Sequence, residues 1–262
     1  VITTTRRTGA RRIALAAALL TMAGLVSDGV LGGGTARADN GIDTLSAQQI
    51  ADRSRDALLG VRSLHLGSRG DLGGHDPSAE LALTMDRDGN CDGSVDLGGG
   101  RGSVRIVKRA DDIWLKPDTD FWKNQVPVGG PAFAAILDGR YLKASADDPR
   151  LHGVTAGCDL DRLRRLVVDN AENDRGTLNK GRRTTLDGAP VVPLTRIRDG
   201  RTLTMYVAAT GRPYPLRITV EGGRAHAVAD LSAFDAPVSA TAPPPEETYD
   251  INALPGRTTA PL

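Results

Sequence analysis

Aromatic residues are scarce in this 262-residue chain: three Phe, two Trp and four Tyr. A core built from it must therefore be mainly aliphatic. Cysteine is scarcer still: Cys91 and Cys158 are the only two, and the first ninety residues contain none. The four histidines, His65, His75, His152 and His226, are scattered. With no His or third Cys at ligand spacing, a metal site finds no support. Neither H-e-x-x-H, G-x-S-x-G nor a phosphate-binding loop occurs, so no catalytic residue, metal or resident cofactor is expected. Carboxylates are plentiful but sit mostly in turns, such as Asp111-Asp112 and Asp147-Asp148. No basic stripe is present, which argues against nucleic acid as a partner.

What is present begins with an export signal. Arg6, Arg7, Arg11 and Arg12 precede an apolar run from Ile13 to Val26, followed by Ala36-Arg37-Ala38. A basic segment, a short apolar run and a small-residue site read as a signal peptide over residues 1–38, cleaved between Ala38 and Asp39. The run is too short for a comfortable membrane span, and no later segment holds about 18 uninterrupted apolar residues. Removal of residues 1–38 takes away five Arg and one Asp and moves the formal net charge from +1 to −3. The remaining length suits one domain. In an oxidising compartment an even cysteine pair ordinarily forms a disulfide, here Cys91 with Cys158; the alternative is two buried thiols.

After a short leader, residues 39–45, a helix is expected from Ser46. Gln49 three residues on completes a capping box, Leu45 and Ile50 form a staple, and Gly60 ends the helix. Ile50, Ala57 and Leu58, with Ala51 or Ser54 between them, give a small apolar face. From Val61 the period falls to two. Leu64/Leu66, Leu81/Leu83/Met85, Val95/Leu97, Val104/Ile106 and Ile113/Leu115 are separated by Gly73-Gly74, Asp88-Gly89-Asn90, Gly98-Gly99-Gly100 and Asp111-Asp112. Residues 62–116 therefore read as an antiparallel meander with one wet face. The middle reads as helical, with Pro131 at a helix start and a second helix near Asp159 carrying Leu160, Leu163 and Val167. A second meander follows over Thr184–Leu186, Val191–Ile197, Leu203–Val207, Leu216–Val220 and Ala225–Leu231, with Asp187-Gly188, Asp199-Gly200 and Gly222-Gly223 as turns. Residues 237–262, with Pro243-Pro244-Pro245, read as an extended or disordered tail. The fold class is α+β in a single domain over residues 46–236.

Certain stretches carry a family resemblance. They are Gly89-Asn90-Cys91, Trp114-Leu115-Lys116-Pro117-Asp118 with Phe121-Trp122, Cys158-Asp159-Leu160-Asp161, Tyr206-Val207-Ala208 with Gly211-Arg212-Pro213-Tyr214-Pro215-Leu216-Arg217, and Phe234-Asp235-Ala236-Pro237-Val238. Together these resemble the actinobacterial LppX/LprAFG-type lipoproteins, and among them the uncharacterised streptomycete-type members. The resemblance implies a LolA-like half-barrel, a curved antiparallel sheet over a few helices, and a cavity that holds lipid acyl chains. It also implies a lipobox cysteine at the cleavage site, where this sequence reads Thr35-Ala36-Arg37-Ala38-Asp39. The expectation is thus a secreted protein without a lipid anchor, monomeric, with peripheral membrane contact and a hydrophobic small molecule or lipid as partner.

On that reading the aliphatic face of the strands, Leu81, Leu83, Met85, Val104, Ile106, Leu216 and Ile218, would contact the ligand, with Trp114 beside it. The competing expectation is an interaction or sensor module whose sheet face is ordinary filled core. Two local features invite sharper readings. Asp88 to Asp96 matches part of a calcium loop, but Gly99 stands where a bidentate Glu belongs, and a hairpin turn needs the same residues. Trp114, Phe121, Trp122, Phe133 and Tyr141 hold more than half of the nine aromatics; they form either local core or a cavity rim. Arg164-Arg165 and Arg182-Arg183 read as solvated charge or as headgroup contacts.

Overall fold

Ser46 starts the first helix as the local sequence dictates. Its hydroxyl accepts from the Gln49 backbone N–H, the Gln49 side chain accepts from the Ser46 N–H, and helix α1 runs Ala47–Leu59. Leu45 and Ile50 pack in one apolar cluster, as a staple should. Gly60 ends the helix in a right-handed conformation (φ −77°), so the stop does not use the left-handed freedom of glycine. In this computed structural model the described residues are 38–71, 79–126, 128–137, 139–165 and 177–253. The expected signal segment up to Arg37, the expected Gly73-Gly74 turn, His75, Val167 and the last residues of the expected tail, 254–262, lie outside them.

The first meander comprises β1 (Ser63–Asp71), β2 (Glu80–Asp86), β3 (Cys91–Asp96), β4 (Ser103–Arg109) and β5 (Asp112–Pro117). Each pairs antiparallel with the next. Registers such as Leu66↔Leu83 and Ile106↔Leu115 bring the alternating apolar residues onto one face. The Asp88–Asn90 segment is a hairpin turn: Asp86 accepts from the Asn90 backbone and side chain, and Lys108 Nζ donates to the Gly89 carbonyl at 2.8 Å. A cation from the protein itself thus sits on that loop.

Asp118 caps helix α2 (Thr119–Gln125) by accepting from Phe121 N at 2.7 Å. Helix α3 is Gly130–Leu137. Phe121, Trp122 and Phe133 pack together, with Trp122 5.8 Å from Phe133 between ring centres, so these three aromatics are core. The helical middle is interrupted by a strand the periodicity did not reveal. This is β6 (Tyr141–Ser145), paired with β5 and burying Leu142 and Ala144. Its five residues offer only two apolar positions to a period-two pattern, too few to stand out. Helix α4 (His152–Gly157) and a helical segment at 160–165 follow, the latter capped by Asp159, whose carboxylate accepts from Arg162 N.

The second meander is β7 (Asn179–Lys180), β8 (Thr184–Leu186), β9 (Ala189–Arg198), β10 (Arg201–Ala208), β11 (Pro215–Gly222) and β12 (Ala225–Ser232). Its two Asp-Gly turns require positive φ at both residues: 48° and 84° at Asp187-Gly188, 51° and 72° at Asp199-Gly200. Strand β12 pairs with β1, so the two meanders fuse into one curved sheet of thirteen strands. The last strand falls within the stretch read as an extended or disordered tail. Residues Thr248–Asp250 form β13, which adds parallel to β6, and Ile251 just beyond it is buried. A sheet expected to be wholly antiparallel thus carries one parallel edge pair. Extended at Pro244, the chain makes a single 3-10 turn over Pro245–Glu247 and so reaches that edge.

Cys91 and Cys158 form the expected disulfide, with 5.6 Å between Cα atoms, tying the start of β3 to the end of α4. The helices cover one face of the sheet over two separate apolar clusters. The larger gathers Leu64, Leu83, Met85, Ile106, Leu115 and Leu58 with α2 and α3. The smaller joins Ile42 and Ile50 to Val192, Leu194 and Val207.

Candidate functional site

Helix α1 spans both clusters through one inward stripe at helical spacing: Ile50, Ser54, Leu58. Ile50 belongs to the smaller cluster and Leu58 to the larger. Ser54, between them, is too small to bridge the gap. Below it lies a cavity of about 540 Å³ between α1 and strands β9 to β11. Leu58, Leu203, Met205, Ile218 and Val220 give it an apolar floor. Sheet register explains that floor: Leu203 faces Val220 and Met205 faces Ile218 across β10 and β11, so all four side chains share one face.

The cavity has a polar side as well. Ser54 is only 1% exposed, and its hydroxyl has no hydrogen-bond partner among the described residues. Arg55, Arg198 and Arg201 line the cavity beside Asp52 and Asp199, as does the half-buried Arg196, which is already partnered. Arg55 pairs with Asp52 at 3.3 Å and Arg198 with its neighbour Asp199 at 3.5 Å. Arg201 makes no ion pair among the described residues. Arg198 and Arg201 are directly opposed across the hairpin, an unfavourable juxtaposition of like charges.

The residues expected to contact a ligand divide between core, cavity and other places. Leu83, Met85, Val104 and Ile106 are buried in the larger cluster, and Leu81 packs partly buried against it. Of the expected set, Ile218 lines the cavity. Leu216 falls at the irregularity between β10 and β11, is half-buried, and does not line it. Trp114 lies on the opposite face of the sheet. Its neighbours Ile113 and Leu115 point into the core, so strict alternation sends the indole outward, under Lys143 (5.4 Å to the ring centre) and beside Pro243 and Pro244. Tyr141 is likewise half-buried, under Lys116. Trp114 and Tyr141 therefore do not rim this cavity.

Other expected features have structural partners. His65 Nδ1 lies 2.9 Å from Thr84 Oγ1. Arg183 binds Asp39 and Asp43, tying the 39–45 leader to the sheet, and the Arg183 guanidinium holds the Asp39 carboxylate below its usual range. Arg164 pairs with Asp161 at 2.8 Å. The cavity residues that went unread, Ser54 as its roof and the arginines of β9 and β10, did leave a trace. Leu194, Arg196 and Arg198 share one strand parity, so the apolar face of β9 turns cationic as it leaves the core.

No protein-family model matches the sequence, and no curated protein does. Similarity appears among solved structures. LprF from Mycobacterium bovis has 17% sequence identity and a TM-score of 0.50, with 75% of this chain and 96% of LprF covered. Lipoprotein LppX from Mycobacterium tuberculosis has 14% identity and a TM-score of 0.45, with 74% of this chain and 98% of LppX covered. A LolA superfamily protein from Nitrosomonas europaea has 10% identity and a TM-score of 0.29, covering 74% of this chain and 95% of its own. The fold of this chain is that of LprF, one of the group its sequence resembles.

Proposed function

We propose that this chain is a non-catalytic binding protein that holds a hydrophobic ligand, lipid acyl chains, in the cavity beneath α1. The observation that carries this reading is the gap itself. Two apolar clusters share one sheet face and one helix, yet a cavity of about 540 Å³ with an apolar floor separates them. That volume lies within the roughly 300–1,000 Å³ of small-molecule sites. On this reading the ligand lies on the second meander, where the expected set contributes Ile218, and not on its Leu83–Ile106 part.

The protein acts outside the cytosol, as a monomer, after cleavage between Ala38 and Asp39. The disulfide supports the compartment. Asp39 is already bound into the fold through Arg183 and a bridge to Thr210, so a chain beginning there keeps its ties to the sheet. Extraction of the purified protein and mass spectrometry of the extract test the function. Co-purifying acyl lipids are expected; a clean extract together with no binding of a fluorescent fatty acid contradicts it. A second reading, a partner-binding module, is favoured by the filled face around Leu83, Met85 and Ile106. It predicts that binding measurements find no lipid at all.

A further inference from the structure

The cavity beneath α1 differs from a purely apolar sleeve at one end. Its floor is aliphatic, but Arg55, Arg198 and Arg201 also line it, beside Asp52 and Asp199. Two of these arginines, Arg198 and Arg201, are cross-strand neighbours on the hairpin that ends at Asp199-Gly200. Directly opposed like charges are unfavourable, and an anion between them reverses the sign of that interaction. A guanidinium also presents a planar set of donors that fits a carboxylate or phosphate. Arg201 has no anionic partner of its own among the described residues. Arg198 has a neighbouring carboxylate, but its side chain is 71% exposed, and such surface pairs hold little energy.

A second, independent observation points to a guest. Ser54, one of the residues lining the cavity, is removed from water, and its hydroxyl has no hydrogen-bond partner among the described residues. An unmet buried hydroxyl is costly, so helix α1 is not sealed against the sheet as ordinary core at this point.

Resting on the proposed binding of an acyl chain, we infer that the cavity is selective for an amphiphile with an anionic head. Its chain lies on Leu203, Met205 and Ile218, and its carboxylate or phosphate lies on Arg198 and Arg201. The shared chemistry, an anion on an aliphatic tail, belongs equally to a free fatty acid and to a lipid phosphate.

Calorimetric titration of the purified protein with three palmitoyl probes below their micellar concentrations tests this. The probes are palmitate, lysophosphatidylglycerol and zwitterionic lysophosphatidylcholine. Expected is binding of at least one anionic probe about tenfold or more tighter than the zwitterion, a difference of about 1.4 kcal/mol. That preference should shrink as salt is raised. The Arg198→Gln/Arg201→Gln double variant should lose the preference. Palmitate binding alone identifies a carboxylate site, and lysophosphatidylglycerol binding alone a phosphate site. Equal affinity for all three probes, unchanged in the double variant, overturns the headgroup inference while the acyl-chain reading stands. Absence of binding by every probe overturns both.

Discussion

Asp118 shows how much a single carboxylate holds in this fold. It accepts from Phe121 N at 2.7 Å as the cap of α2, and from the backbone and hydroxyl of Ser103 at 2.8 Å each. Burial pushes its pKa upward, but the hydrogen bonds from Phe121 and Ser103 outweigh it and hold the group below its usual range. Asp235, bound by Arg62 N and, against the effect of burial, by the Tyr214 hydroxyl, is lowered too. For a depressed carboxylate the stabilisation is complete above the unfolded value of about 3.9 and is lost as pH falls through the lower folded value. Denaturant midpoints should therefore hold steady from neutral pH to about 5 and then drop, and Asp118→Ala should flatten part of that drop. At neutral pH the same substitution should cost about 1–2 kcal/mol, read from chemical denaturation. The Ser46 cap was legible in the sequence because its partner Gln49 and its staple lie within five residues. Asp118 was not read as a cap, because α2 has only seven residues and no periodic stripe to announce it.

Short elements were also where legibility failed among the strands. The long alternating strands of both meanders follow directly from period-two patterning and Asp-Gly turns. By contrast β6 and β13, of five and three residues, owe their strand state to pairing with a partner remote in sequence, which local pattern does not encode. The β13 segment is more than decoration on an edge. It leads into Ile251, which is 6% exposed and packs in the larger cluster with Leu142 and Leu151. Ile251→Ala should cost about 2–4 kcal/mol, the range for a truncated core aliphatic, measurable as a shifted urea midpoint with little change in slope. A surface tail would give no shift. The cavity was half legible by the same logic. The aliphatic strand faces could be read, but which stretch of face the helices leave uncovered depends on where α1 to α4 come to rest.

Across the whole molecule, two devices hold the halves together. Strand pairing between β1 and β12 makes the two meanders one sheet, and the disulfide closes a sequence separation of 67 residues from β3 to α4. Replacing both Cys91 and Cys158 by Ser should lower stability by about 2–5 kcal/mol, and a reducing agent should reproduce the effect in the unmodified protein. The sheet as a whole is then a filled core under the first meander and a lined cavity under part of the second. Ser54 is the residue at which those two regimes meet. Ser54→Leu replaces a hydroxyl unpartnered among the described residues with a larger aliphatic side chain at a position that lines the cavity. The most direct test of the account is titration of a fluorescent fatty acid into the unmodified protein and into Ser54→Leu, with thermal unfolding of each. The account predicts saturable binding by the unmodified protein and its loss in the variant, with a melting temperature equal or higher. Undiminished binding by a folded Ser54→Leu protein, or none by the unmodified one, would contradict it.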